Sequence, residues 1–230
     1  MVEINMGDII RAGKRICNTD GLKWKKKVEI PFNVMLSALF TTTGRGDRFA
    51  ERCFNEIRQR AKNLRNIPMY LESLSDIKLE ELAEYIKFNR KRFLDGVRGI
   101  TILDKKYDLQ KDSLRHITDI TTPEEFYNSI RKVCGFGGKE IGPWVGCEFV
   151  RLWDLELPAN LELPSSTQDC LEILGKLPDV IKAKVQDYPY LDAFFEKKTI
   201  YKGKEIKLRF LAKRNPEKFK EEVVKALKDS

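Results

Sequence analysis

Five residues in the middle of the chain, Gly135-Phe136-Gly137-Gly138-Lys139, have the types and spacing to hold an anion. Glycine takes φ > 0 freely and lets the backbone come close to a phosphate. The N–H groups of such a turn, and of a helix starting just after it, point at the bound anion. Helical patterning runs up to the turn, over 123–134, and away from it, over 139–153. Two short helices joined in this way make a helix-hairpin-helix, which grips DNA backbone without reading its sequence. The same residues also suit a plain helix connection with glycine C-caps.

Other chemistries find little support. A single histidine, His116, leaves no room for a His-based zinc site and makes a Ser-His-Asp triad a poor choice. Cys17, Cys53, Cys134, Cys147 and Cys170 are widely spaced and include no C-x-x-C pair, so no zinc ribbon or iron–sulfur cluster is expected. Reduced cysteines fit a cytosolic or nuclear compartment. The first residues lack a basic segment followed by an apolar one, so secretion is not expected. No apolar run reaches the ~18 residues of a membrane helix. A formal net charge of +8 permits a nucleic-acid partner without establishing one.

The elements that must position the turn read as mostly helix. Pro31 opens a helix apolar nearly all round, hence buried, which ends in Thr41-Thr42-Thr43-Gly44. Asp47 is a cap for a helix reaching about Leu64, with Phe49, Cys53, Phe54, Ile57 and Ala61 at helical spacing. Ile67-Pro68 reads as a break. Helices follow over 79–88 and 92–103. Thr122-Pro123-Glu124-Glu125 combines an N-cap, a proline at the first position and acids in the first turn. Beyond an irregular link between Pro158 and Pro164, helices are expected over 166–174, 178–186 and from Pro216 to near Lys228. Residues 199–211, around Lys202-Gly203-Lys204, read as one small β-hairpin.

Three of these pieces together resemble the helix-hairpin-helix DNA glycosylase superfamily. The turn Gly135-Phe136-Gly137-Gly138-Lys139-Glu140-Ile141 is similar to the family's hairpin. A lysine directly after the turn marks the lyase-type branch, similar to endonuclease III and the 8-oxoguanine glycosylases, archaeal ones included. Pro31 to Leu39 looks like the helix that opens that fold, and Leu79 to Leu94, with Asn89-Arg90-Lys91-Arg92, resembles its basic helix start. The resemblance spans about 31–163. It implies a two-lobed helical fold, with one lobe from 31–154 and the other from 1–30 plus 155–230.

The resemblance further implies a glycosylase with AP lyase activity in base excision repair, acting on damaged double-stranded DNA. The favoured lesion is 8-oxoguanine, and the protein is expected to be a monomer without cofactor, in the cytoplasm (nucleoid) or nucleus. Lys139 is then the amine nucleophile, its pKa depressed by partial burial and neighbouring cations. The family's aspartate falls at Asn160, which cannot ionise, so that role is shared with Asp169, with Asp154 as a further alternative; each also suits a helix cap. Gly135, Phe136, Gly137, Gly138, Arg45, Arg48, Arg90, Lys91 and Arg92 are candidate DNA contacts, and Trp144 and Trp153 candidate walls of the base pocket. Competing readings are a helix-hairpin-helix DNA-binding protein that has lost catalysis, supported by Asn160, and a glycosylase scaffold reused on modified bases.

Overall fold

The computed structural model describes residues 4–176 and 184–229. It is mostly helical, with one two-stranded antiparallel sheet. The helices are α1 (Met6–Ile16), α2 (Leu22–Val28), α3 (Pro31–Thr41), α4 (Asp47–Ala61), α5 (Ile67–Ser73), α6 (Asp76–Tyr85), α7 (Arg90–Tyr107), α8 (Pro123–Arg131), α9 (Ile141–Trp153) and α10 (Ser165–Ile173). After these come α11 (Tyr188–Phe195), the strands β1 (Lys198–Tyr201) and β2 (Lys204–Lys207), and then α12 (Leu208–Arg214) and α13 (Pro216–Lys228).

The local chemistry explains most boundaries. Ser75, Asn89, Thr122 and Asn215 each cap a helix by accepting a backbone N–H with the side chain. At Thr122 the reciprocal bond from Glu125 completes a capping box. Lys62, in the left-handed region at φ 70°, ends α4. Pro68 does not break a helix; it sits in the first turn of α5, where its missing N–H costs nothing. Asp47 is the first residue of α4 rather than its cap, a position held by Gly46. Lys202 and Gly203, at φ 50° and 73°, form the tight turn whose twist matches paired strands. The helix expected over 178–186 lies largely outside the described residues, and α12 takes the place of the hairpin's expected end.

Two hydrophobic clusters organise the chain. The larger runs from Val28 to Leu161 and contains α3, whose residues are buried apart from Ser37 and Thr41. The smaller joins Ile9 and Ala12 of α1 to residues between Leu163 and Ala226. A cleft of about 600 Å³ is lined from both sides, by Ser37, Thr41 and Phe54 on one and by Ile16, Ala193 and Lys207 on the other.

Candidate functional site

The turn between α8 and α9 is longer than expected, covering 132–140 because α8 ends at Arg131 and α9 starts at Ile141, and it is held from three directions. Gly135 has φ 89°, and a Cβ there would stand 2.9 Å from Thr42 Cγ2 at the end of α3, so only glycine fits. Phe136 is fully buried beneath the turn and anchors it; its side chain cannot reach a phosphate, against expectation. Gly137 and Gly138 are exposed, and Arg131 braces them by donating to the Gly137 carbonyl at 3.0 Å. α9 then seats close: a Cβ on Gly142 would lie 2.3 Å from the Phe136 carbonyl oxygen.

Lys139 is exposed, and its amine makes no hydrogen bond or ion pair among the described residues. The expected partial burial is therefore not built into the protein. Its backbone carbonyl accepts from the Ser165 N–H at 2.8 Å, at the start of α10. The neighbouring Glu140 carboxylate accepts from Ser165 Oγ at 2.9 Å, from the Ser166 N–H at 2.8 Å and from Ser166 Oγ. Pro164 gives α10 no side-chain cap, so Glu140 satisfies the Ser166 N–H from another element. Buried Arg209 stands 3.4 Å from Glu140, and also reaches Asp192 at 2.7 Å and Glu196 at 2.9 Å. This clamp fixes the hairpin to α10 and α12.

The residues expected to supply the carboxylate are engaged elsewhere. Asp169 pairs with Lys213 at 3.1 Å, and Asn160 donates to Asn128 at 3.1 Å. Asp154 caps the far end of α9 and pairs with Arg115. Thirteen residues of helix place it roughly 20 Å from Lys139. Glu140, Ser165, Ser166 and Arg209 did not stand out in the sequence; the one signal was a glutamate directly after the lysine.

The basic residues expected on a DNA face divide. Arg92 donates to the Thr42 carbonyl at 2.9 Å, which brings the start of α7 to the α3 end that touches Gly135. Arg45 donates to the Lys87 carbonyl at 2.7 Å and lies over the Phe49 ring. Arg90 is paired with Glu84. Lys91 and Arg48 are exposed with no acidic partner among the described residues.

α9 carries the chemistry into the cleft. Trp144, Glu148 and Arg151 follow at i, i+4 and i+7, so they share one face, and all three line the cavity. Val145, Phe149 and Leu152 pack into the larger cluster behind them. Trp24 and Phe54 add aromatic wall. Trp153, expected in this pocket, is fully buried in the core instead, edge-on to Phe149. It follows Leu152 at the end of α9, off the stripe set by Trp144.

Most of the cleft's charges are paired with one another or with near neighbours, while the Lys197 ammonium donates to the Ala226 carbonyl. Lys27 meets Glu51 at 2.7 Å, Lys207 meets Asp47 at 2.9 Å and Glu196 at 2.7 Å, and Arg151 holds Glu148. Burial pushes the Glu148 carboxyl up despite Arg151. Burial acts the same way on Glu196, but Arg209 and Lys207 outweigh it and hold that carboxyl at about 2. The result is an aromatic, locally neutral cavity of a size that suits a small organic ligand.

Among the described residues no group of His, Cys, Asp or Glu is arranged to hold a metal ion, and the five cysteines are free. No described helix is long and apolar enough to cross a membrane. No protein-family model, curated protein or solved structure matches the chain.

Proposed function

We propose that the protein is a DNA glycosylase with AP lyase activity, built on the helix-hairpin-helix glycosylase fold and acting on damaged double-stranded DNA. The observation that carries this reading is Lys139: an exposed amine without a partner among the described residues, just before the helix whose Trp144 walls an aromatic cleft. Lys139 stands two residues before α9, and Trp144 lies in its first turn. A base inside a duplex is out of reach, so it must be extruded into a pocket where aromatic faces and a few polar groups receive it. A neutral cleft suits a base, while the exposed turn at Gly137 and Gly138 suits a phosphate.

In the reaction the deprotonated Lys139 amine attacks the sugar's C1′. The C1′–N bond breaks, its electron pair leaves with the base, and the base takes up a proton. Ring opening then gives the imine, and loss of a proton from C2′ expels the 3′ phosphate. Glu140, already held by Ser165, Ser166 and Arg209, positions the turn, and the carboxylate role in stabilising the cationic sugar stays with Asp169, which gives up Lys213 to fill it. An oxidised purine, 8-oxoguanine first, is the preferred substrate.

The engagement of Asp169 and Asn160 elsewhere favours a second reading, a DNA-binding protein without catalysis. Borohydride trapping separates the two. Labelled duplexes carrying 8-oxoguanine, thymine glycol, uracil or an abasic site are incubated with the protein and with Lys139→Ala. A covalent adduct that the variant loses is the expected result. Duplex binding with no adduct on any substrate overturns the enzyme reading in favour of the second.

A further inference from the structure

The β-hairpin that contributes Lys198 and Lys207 to the cleft carries a different surface at its tip. There Lys202 and Lys204 share a groove of about 320 Å³ with Arg48 at the start of α4 and Arg214 at the end of α12. All four are exposed, and none has an acidic partner among the described residues. The one acid in the groove, Glu205, is already taken by Lys198 at 2.8 Å. Tyr201 completes the wall, with the Lys202 ammonium 5.4 Å from its ring centre.

Unpaired cations drawn from three separate elements repel one another, and a bound polyanion removes that cost. From this geometry we infer a second nucleic-acid contact: the groove holds the phosphate backbone of the DNA strand leaving the cleft. The inference rests on the glycosylase reading for its ligand. Position favours DNA, because a four-residue strand at ~3.3 Å per residue spans about 13 Å between cleft and tip. That length covers about four nucleotides at 3.4 Å per strand step. Lys207, bridging Asp47 and Glu196, fixes the hairpin's base to α4, so the tip is held at a set distance.

The test is a salt titration of duplex binding, read by fluorescence anisotropy. It compares the wild type with a variant combining Arg48→Ala, Lys202→Ala, Lys204→Ala and Arg214→Ala. Each phosphate contact contributes about 0.9 to the slope of log affinity against log salt, so the variant's slope should be shallower by roughly 2–4. Lys139-dependent trapping on abasic DNA at low salt should persist. Because all four side chains are exposed and repel one another, the melting temperature should not fall. The double variant Lys202→Glu with Lys204→Glu changes the groove's charge by the same four units and should weaken binding comparably.

An unchanged slope with an intact wild-type complex overturns the groove and leaves the glycosylase reading standing. A shallower slope in a protein that forms no adduct supports the groove and removes the chemistry. A wild type that binds no duplex overturns both. A wild type that keeps polyglutamate at a salt concentration that releases DNA overturns the groove's assignment in favour of an acidic protein partner.

Discussion

The cleft and the groove share one β-hairpin and are both rich in charge, yet they treat it in opposite ways. In the cleft, Lys27, Lys207 and Arg151 each hold a carboxylate, so the walls are neutral and their geometry is fixed without a ligand. In the groove, Arg48, Lys202, Lys204 and Arg214 hold none among the described residues. Paired charges in a partly buried site position the elements around them. Unpaired exposed cations do nothing for the fold and are free to meet an anion. Under the proposed function the base goes to the first region and the backbone to the second.

The largest effect should come from the network behind the cleft. Arg209 is buried against Asp192, Glu196 and Glu140. Arg209→Met leaves those carboxylates uncompensated and should cost about 3–5 kcal/mol in urea denaturation. The fourfold groove variant should stay within about 0.5 kcal/mol per site of wild type. Equal losses in the two would erase the distinction.

Acid should separate the regions next. Glu196 titrates near 2 in the folded protein against an ordinary 4.5. Its charge therefore contributes stability above about pH 4.5 that disappears as the pH falls toward 2, roughly 2 kcal/mol after allowing for solvent at its partly open edge. Glu196→Gln should flatten melting temperature against pH in that window. Glu148 has the opposite sign, since burial raises its carboxyl: its contribution is complete below its ordinary value and is lost as the pH rises through the raised one. A Glu196→Gln profile parallel to wild type would contradict the pairing described for the cleft.

A smaller effect sharpens the comparison on the ligand side. Stacking of a base on an aromatic side chain is worth about 1–3 kcal/mol. Trp144→Ala should therefore lower kcat/KM on an 8-oxoguanine duplex roughly tenfold or more. Cleavage at a preformed abasic site, where no base needs stacking, should be nearly unchanged. Equal losses on both substrates would take Trp144 out of base recognition.

How much of this was legible in the sequence depends on how local each feature is. The Thr122 capping box, the buried α3, the Gly135 turn and the short β-hairpin follow from neighbouring residues, and the structure contains each. Trp144 on the cleft was also legible, because it follows the turn by a helical step. Trp153 was misplaced because aromatic character does not say which face of α9 a side chain takes, and its position off the Trp144 stripe sends it into the core. The Glu140 clamp joins residues up to 69 apart and leaves no periodic trace. Separation along the chain points to Asn160, with Asp169 a displaced alternative, and what each touches is set by α8 and α12 instead. The short helices α2, α5, α11 and α12 were hidden because they are stabilised by packing rather than by their own caps.

The central claim is that Lys139, and no other of the chain's many lysines, forms the covalent intermediate. The direct measurement is to reduce the protein–DNA imine with borohydride, digest it with protease and nuclease, and locate the modified residue by mass spectrometry. The account predicts a sugar-phosphate remnant on the peptide containing Lys139. A remnant on a cleft or groove lysine, such as Lys207 or Lys202, would contradict it.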